Sequence, residues 1–318
     1  MPKVSVFIPV FNTETFIAEA IESVLNQTFT DFELVIVDDC STDDSFKICG
    51  KYATSDDRIR LYRNEQNLGM MPNWNHGLSL CKGEYWGKLD ADDLWTDTML
   101  EKCLLILDQN PSIGMVCSRH IEIDKNGEIY SNTVSNPPNF TLNKSFSFVP
   151  FVKSGISMLQ HNVARQGIGL IRKSFFDQYG NYLMIQPADT ELYFRIGAHY
   201  EVHCIDEILH NHRIWEASDT RATILNNPGK IEKNLFDVRN AILKHYYTSQ
   251  KITYEEYKQF KKDNLFEFSK FQAYFNRTQK KYLLMMKFLF SMTFLRPIGT
   301  VRFYYNRLFV SMKSENKL

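Results

Sequence analysis

The chain has 318 residues, 44% hydrophobic and 23% charged, which is enough to bury one large core or one core with an appendage. Its formal net charge is zero, and its six cysteines form no CxxC pair, which argues against a zinc site and a secreted disulfide framework. The N-terminal MPKVSVFIPVF enters directly into a strand-like run without the regions of a secretory signal, so we expect the protein inside the cell.

The first hundred residues alternate between strand and helix patterns. Residues 4–10 are β-rich, and apolar residues recur at helical spacing over 16–25. Further strands are predicted over residues 33–37, 58–62 and 85–89. This β-α-β order predicts an α/β fold with a Rossmann-like, mostly parallel central sheet flanked by helices. Ligands of such sheets bind at the carboxyl ends of the strands.

The second hundred residues continue with less regular patterns. Asn126-Gly127 between alternating segments predicts a β-hairpin, and the stretch 131–150 reads as an irregular loop. A buried strand over 114–118, a helix over 189–198 and a strand over 201–209 complete the predicted elements.

From about residue 231 the pattern changes to long helical stretches. We therefore expect a catalytic domain over residues 1–225 and a helical, basic and aromatic C-terminal extension over 226–318. The apolar run 282–295 is interrupted by Lys287 and is shorter than the roughly 20 residues of a spanning helix, which favours an interfacial or packed helix.

Basic residues are segregated in the C-terminal part of this extension. Residues 277–318 contain nine Lys and Arg residues against Glu315 alone, a formal charge of +8. Such a segment suggests an anionic partner, and we favour the membrane surface over nucleic acid, for which we expect no binding. The alternative is a helical cap packed on the catalytic domain.

A cluster of carboxylates follows the fourth predicted strand in the sequence KLDADD. Asp90 and Asp92 are two positions apart, with Asp93 beside them, a spacing that suits Mg²⁺ or Mn²⁺ with a nucleotide's phosphates completing the shell. Acidic runs are also common in solvated loops and helix caps, but the buried strand before this one favours the metal site.

Two further pairs of acidic residues are candidates for binding or catalysis. Asp38 and Asp39 end the second predicted strand, where a carboxylate can bind a ribose or a base N–H, although Asp38 could instead cap the following turn. Asp189 and Glu191 in PADTELYFR could supply a general base.

Three blocks in order, VSVFIPVFN, DFELVIVDDCSTDDS and NLGMMPNWNHGLSLCKGEYWGKLDADD, closely resemble family 2 glycosyltransferases of the GT-A fold. The resemblance covers roughly residues 3–215. It implies that the first two blocks bind the nucleotide and that the DxD carboxylates hold the sugar-nucleotide through a divalent cation. The residues assigned to nucleotide binding are Pro9, Phe11, Glu14, Asp39, Asn67, Asp90 and Asp92, with Asp90 and Asp92 also binding the metal.

The family's catalytic base is the Asp of a Glu-Asp-like pair before a helix. Here Ala188 takes the Glu place and Asp189 the Asp place, so Asp189 is the predicted base and Glu191 the fallback. Many relatives carry Tyr-Arg-x-His after the last strand, but this chain has Trp215 where that His would stand. His212 or Arg213 could substitute for it, or both could be structural.

We therefore expect an inverting, metal-dependent glycosyltransferase that moves a sugar from a UDP-linked donor to a glycan or lipid-linked acceptor. The resemblance favours a bacterial surface-polysaccharide pathway at the cytoplasmic face of the inner membrane. A nucleotidyltransferase would need a Gly-rich basic loop after the first strand, and FNTETF lacks both features. A noncatalytic sugar-nucleotide or glycan-binding module remains the alternative.

Overall fold

The computed structural model of the protein describes residues 1–131, 143–153, 167–215, 228–278 and 282–295. The strands, in chain order, are β1 (Val4–Val10), β2 (Phe32–Asp38), β3 (Ile59–Arg63), β4 (Tyr85–Lys88), β5 (Leu94–Trp95), β6 (Ile113–Ile123), β7 (Ile129–Ser131), β8 (Ser145–Phe146), β9 (Gly167–Arg172) and β10 (Glu201–Arg213). The helices are α1 (Ile17–Leu25), α2 (Ser45–Ser55), α3 (Met70–Leu80), α4 (Met99–Gln109), α5 (Val149–Lys153), α6 (Ser174–Tyr179), α7 (Ala188–Gly197), α8 (Pro228–Thr248), α9 (Tyr254–Thr278) and α10 (Tyr282–Leu295).

The strands form one sheet in the order β3-β2-β1-β4-β9-β6-β10-β5, to which β7 and β8 add at β6 and β10. The longer ladders, β1 with β2, β2 with β3 and β6 with β10, are parallel. Because β9 is antiparallel to both β4 and β6, β10 runs in the same direction as β1, β2 and β4. The predicted α/β fold with a mostly parallel central sheet is confirmed.

The core lies around the first two strands. All of β2 and nearly all of β1 are buried, as expected for central parallel strands covered on both faces. Helix α1 buries Ile17, Ala20, Ile21 and Val24, whose spacing places them on one helical face. The apolar periodicity of the sequence therefore determines which side of α1 packs on the sheet.

Helix α3 approaches the sheet closely at Gly77. A Cβ atom added there would lie 2.2 Å from Cε2 of Phe7 on β1, so a larger residue would force the helix or the ring to move. Trp74, one turn earlier on the same helix, is also buried. The missing side chain at position 77 thus sets how near α3 lies to the end of β4.

The chain divides into two compact units. The first comprises Met1–Pro150, His161–Met184 and Ala188–Ser218, and the second Phe151–Gln160, Ile185–Pro187 and Asp219–Leu318. Within the second unit, α9 and α10 share a small apolar cluster of Phe266, Ala273, Leu289 and Met292. None of the helices in the described ranges is at once long and apolar enough to span a membrane.

Two predicted boundaries are wrong and one turn is confirmed. The last strand was expected to end at Leu209, but β10 continues to Arg213 because it keeps pairing with β6 as far as Ile123. The stretch 131–150 is not wholly irregular: β8 pairs with β10 and α5 begins at Val149, while residues 132–142 lie outside the described ranges. The β6–β7 hairpin forms as predicted, with Gly127 at φ 85°.

Candidate active site

The carboxyl ends of β1, β2, β4 and β10 lie at one edge of the sheet, which we call the rim. Asp93, just after β4, joins the two halves of this edge. Its Oδ1 accepts the backbone N–H of Arg213 at 2.8 Å, and its Oδ2 lies 2.8 Å from Nε2 of His210 and 3.2 Å from Nδ1 of His212. Burial raises the pKa of Asp93, but the two imidazoles more than offset it and hold that pKa well below its usual range. Asp93 is therefore a buried carboxylate with a structural task.

Arg213 is fully buried, and all three nitrogens of its guanidinium donate hydrogen bonds to other residues of the protein. Nε donates to the carbonyl of Asp92 at 2.8 Å, and Nη2 donates to Oε2 of Glu19 at 2.7 Å. Nη1 donates to the carbonyls of Asp124 and Lys125. These contacts support a structural role for Arg213 and give no support to a role in place of the usual His.

His212 differs from Arg213 because its side chain is 44% exposed. Burial alone would lower its pKa, but the carboxylate of Asp93, with smaller contributions from Asp92 and Asp90, raises the pKa of His212 to about 9. His212 is therefore an imidazolium at neutral pH and adds a positive charge to the acidic rim.

Trp215 contacts the DxD motif directly. Its indole Nε1 donates a 2.8 Å hydrogen bond to Oδ2 of Asp92, and its ring meets Phe16 edge-on at a centroid distance of 5.2 Å. Burial and the neighbouring charge of Asp93 raise the pKa of Asp92 to about 6, while the indole opposes this shift. In the sequence, Trp215 indicates only the absence of the usual His, and no local pattern predicts that it orients a carboxylate.

Lys88 is a second residue that the sequence analysis missed. Its side chain is 1% exposed, and its Nζ lies 2.7 Å from Oδ1 of Asp90 and 3.9 Å from Oδ2 of Asp189. The same ammonium lies 3.9 Å from the ring centroid of Trp74. Burial lowers the pKa of Lys88, but the two carboxylates raise it by more. A lysine inside the otherwise apolar strand YWGKL was the available signal, since buried lysines are rare unless paired.

Asp189 lies in the first turn of α7, and the structure brings it to the DxD motif through Lys88. Its side chain is 31% exposed, yet its Oδ1 is buried. Burial raises the pKa of Asp189 and Asp90 adds to this, whereas Lys88 and a hydrogen bond from the Tyr182 hydroxyl oppose it. A carboxylate with a raised pKa has the properties of a general base.

Glu191 is committed elsewhere. It is 1% exposed and pairs with Nε of Arg195 at 3.0 Å, one turn along α7. The other guanidinium nitrogens of Arg195 donate to the carbonyls of Tyr179, Gly180 and Asn181. Glu191 thus fastens α7 to the segment before it, and its geometry gives no support to the fallback assignment as base.

Asp39 organises the loop that precedes α3. Its Oδ1 accepts hydrogen bonds from Nδ2 of Asn64 and the backbone N–H of Leu68, both at 2.8 Å, and its Oδ2 accepts the N–H of Gly69 at 2.9 Å. Asn67, the residue before Leu68, is exposed in this loop. Asp39 therefore holds the Asn67 loop against the end of β2, and their contact with a nucleoside stays a prediction.

The other predicted nucleotide contacts lie at the C-terminal end of strand β1 or shortly after it. Phe11 is 47% exposed, Pro9 is half-buried, and Glu14 accepts the N–H of Asp44 at 2.8 Å. Asp38 accepts the N–H of Ser41 at 3.1 Å, which is the turn-capping contact weighed as its alternative role. The exposed face of Phe11 is available to a flat ring.

A divalent cation fits the oxygen donors present. Asp90 uses Oδ1 for Lys88 and Asp92 uses Oδ2 for Trp215, which leaves one oxygen of each without a hydrogen bond among the described residues. No group of three or more His, Cys, Asp or Glu side chains in the described ranges could enclose a metal by itself. Mg²⁺ and similar hard cations commonly take one or two carboxylates and complete their shell with phosphate and water.

Comparison with known proteins places this site in a family context. The model of the family described as "Glycosyl transferase family 2" matches residues 5–166. The uncharacterized glycosyltransferase MJ1057 of Methanocaldococcus jannaschii is 30% identical over 216 residues, which cover 67% of this chain and 71% of the relative. Chondroitin synthase of Escherichia coli is 36% identical over 137 residues, 43% of this chain. That protein and three further curated relatives are matched over only 20% to 46% of their own length.

Solved structures resemble the chain over most of its length. The crystal structure of TarS from S. aureus in complex with UDP matches with a TM-score of 0.63, covering 94% of this chain and 82% of the TarS chain. The two sequences are 17% identical. This likeness establishes a shared fold, of the GT-A type expected from the sequence.

Proposed function

Because the chain belongs to glycosyl transferase family 2, we propose that it is an inverting, metal-dependent glycosyltransferase with a UDP-sugar as donor. The observation that carries the proposal is the meeting of two carboxylate groups at the rim. Asp90 of the DxD motif and Asp189 of α7 both lie beside the ammonium of Lys88, at 2.7 Å and 3.9 Å. A donor site and a base thus occur side by side.

The donor's nucleoside lies along the ends of β1 and β2 in this proposal. Phe11 offers an exposed aromatic face to the uracil ring, and Asp39 with the Asn67 loop closes the other side. Pro9 and Glu14 complete the nucleoside contacts. TarS, which shares this fold, has been crystallised with UDP, and this supports the choice of nucleotide.

The diphosphate lies at the DxD motif. Asp90 and Asp92 would hold Mn²⁺ or Mg²⁺, which would supply positive charge to stabilise the departing diphosphate. Lys88 binds one oxygen of Asp90, and Trp215 binds one oxygen of Asp92. The other oxygen of each carboxylate is therefore the one proposed to bind the cation.

Asp189 is the general base. Its carboxylate takes the proton of an acceptor hydroxyl while the hydroxyl oxygen bonds to the anomeric carbon of the sugar. The bond from that carbon to the diphosphate oxygen breaks, and the nucleoside diphosphate leaves from the opposite face. A single displacement of this kind inverts the anomeric configuration.

The acceptor is a hydroxyl of a glycan or lipid-linked glycan, and the sugar is a hexose or an N-acetylhexosamine. Support comes from relatives such as chondroitin synthase of Escherichia coli, which is 36% identical to this chain over 137 residues. We place the reaction in bacterial surface-polysaccharide synthesis, including capsule or lipopolysaccharide, at the cytoplasmic face of the inner membrane.

The basic C-terminal segment is the proposed membrane contact. Most of its nine basic residues lie outside the described ranges, so the argument rests on the sequence charge of +8. Replacing Arg296, Arg302, Arg307, Lys313 and Lys317 by Gln should release the full-length protein from anionic vesicles, because each such residue contributes about 1 kcal/mol at the surface. Unchanged binding to those vesicles would contradict membrane docking.

A noncatalytic binding module is the second candidate, favoured by Ala188 at the place of the family's first acid. A direct test incubates the protein with UDP-glucose, UDP-GlcNAc and GDP-mannose, with Mn²⁺ or with EDTA, and measures nucleotide release. We expect release from a UDP-sugar with Mn²⁺ only, and a loss of about 1000-fold in Asp189→Asn with UDP affinity retained. Nucleotide binding without release from any donor, including in the presence of acceptor extracts, would favour the binding module.

A further inference from the structure

Lys88 is a buried charge at the end of a central strand. Lys88 on β4 is paired in register with Phe7 on β1, and Trp86 lies on the same face of β4, two positions earlier. Strand β1 pairs with β4 as far as Lys88, and β9 pairs with β4 at Tyr85 and Trp86, so the sheet holds the backbone that leads to this point. The side chain of Lys88 therefore leaves the sheet in a defined direction.

Helix α3 covers this face of the sheet. Because Gly77 lets α3 approach Phe7 closely, the ring of Trp74 reaches the Lys88 ammonium at 3.9 Å. The side chain of Lys88 is consequently 1% exposed. An ammonium that is closed off from water must be compensated by carboxylates.

The two carboxylates that compensate the charge of Lys88 are far apart from each other in the sequence. Asp90 is two residues away and makes a direct hydrogen bond of 2.7 Å to Nζ, whereas Asp189 comes from α7 and lies at 3.9 Å. At 3.9 Å, Lys88 and Asp189 form an ion pair without a hydrogen bond. This ion pair orients the Asp189 carboxylate and leaves it able to accept a proton. The hydroxyl of Tyr182 is the other polar group that acts on the Asp189 carboxylate, and Lys88 is its cationic partner.

We propose that Lys88 is a positioning residue for sugar transfer, which holds the Asp189 carboxylate beside Asp90 so that the base faces the donor's anomeric carbon. This inference rests on the proposed function and names a residue that acts through Asp189. Since Nζ pairs with Asp189 as well as with Asp90, Lys88 contributes more to turnover than to the metal-dependent nucleotide affinity that Asp90 supports.

The test compares Lys88→Met and Lys88→Arg with wild type and with Lys82→Met. Lys82 is an exposed lysine six residues earlier and serves as the matched control. Hydrolysis of UDP-glucose and UDP-GlcNAc with Mn²⁺ gives kcat and KM, and calorimetry with UDP and Mn²⁺ gives Kd. Lys88→Met should lower kcat by about 100-fold, the scale of a misplaced catalytic group. The affinity for UDP with Mn²⁺ should fall by only about 10-fold, through the lost contact with Asp90. Lys88→Arg should recover part of the loss, and Lys82→Met should match wild type.

A double-mutant cycle separates this role from a general effect on the fold. If Lys88 acts through Asp189, then Lys88→Met should cause no further loss of kcat in the Asp189→Asn background. Multiplying losses in the double variant, an equal fall in UDP affinity, or an unchanged kcat in Lys88→Met would each overturn the inference. Thermal unfolding checks that each variant folds, and if Lys88→Met does not, the cycle is run with Lys88→Arg on the same criteria.

The two levels of the argument fail differently. A wild-type protein that turns over a donor but gives an additive cycle would overturn the role of Lys88 and leave the proposed function intact. A wild-type protein that neither binds UDP nor hydrolyses a donor would overturn the proposed function, and the inference would fall with it.

Discussion

The indole Nε1 of Trp215 donates a 2.8 Å hydrogen bond to Oδ2 of Asp92, across 123 residues of sequence. This contact places a neutral donor at the position where many family 2 relatives carry His. It also fixes which oxygen of Asp92 stays available. The indole therefore orients the Asp92 carboxylate at the position where the resemblance implies a His.

Trp215→Phe should weaken metal-dependent UDP binding by about 10-fold, because partners that orient a metal ligand commonly contribute that much. The phenyl ring keeps the packing against Phe16 but cannot donate to Asp92. Calorimetry with UDP, in Mn²⁺ and in EDTA, measures the effect, and Trp215→His is the informative companion because it restores the family residue. Unchanged affinity of Trp215→Phe for UDP in Mn²⁺ would contradict this role of Trp215.

Gly77→Ala should destabilise the protein by about 2 kcal/mol, because the new methyl group would lie 2.2 Å from the Phe7 ring. Gly50→Ala is the matched control, since it also lies within a helix but has no atom within 4 Å of the added Cβ. That change should stabilise the fold by about 1 kcal/mol. Urea unfolding measures both, and an equal effect of the two substitutions would contradict the close approach of α3.

Arg213→Met should cost about 3 kcal/mol of unfolding free energy, because it leaves the carbonyls of Asp92, Asp124 and Lys125 without their buried donor. Arg58→Met, which removes a partly exposed pair with Asp56, should cost about 1 kcal/mol or less. Both values come from urea unfolding. A cost for Arg213→Met no larger than that of the control would contradict a structural role.

The stabilising effect of His212 should depend on pH. Its pKa is about 6.5 when unfolded and about 9 when folded, so its pairing with Asp93 is fully stabilising below pH 6.5 and is lost as the pH rises through 9. Relative to His212→Gln, wild type should be more stable by about 1 kcal/mol at pH 6, a value reduced for the screening of a side chain that is 44% exposed. A difference in unfolding free energy that grows between pH 6 and pH 9.5 would contradict this account.

Much of the architecture could be predicted from local pattern. The alternation of β and helical periodicity reflects burial of each element on one sheet, and the carboxylates after β4 follow from the rule that ligands bind at strand ends. Asp90, Asp92 and Asp189 were therefore chosen as candidates from residue type and position, and their roles, which rest on the family resemblance, stay predictions. The extension of β10 to Arg213 was not, because it depends on pairing with β6, which no local pattern reports.

The missed residues have long-range partners. Lys88 stands in an apolar strand, and its meaning depends on Asp189 and Trp74, which α7 and α3 bring to it. In the sequence, Trp215 indicates only that the usual His is absent. The fold brings its indole to Asp92, where it donates a hydrogen bond. Glu191 was the fallback to Asp189 in the sequence prediction, but its direction on α7 commits it to Arg195.

Calorimetric titration of UDP in the presence of Mn²⁺, on wild type and on Asp92→Ala, tests the central claim most directly. The claim is that the rim binds a nucleoside diphosphate through the DxD carboxylates. We predict binding of UDP to wild type that EDTA abolishes, little binding of GDP, CDP or ADP, and no metal-dependent binding to Asp92→Ala. Absence of binding by wild type, or equal affinity in Asp92→Ala, would contradict the claim.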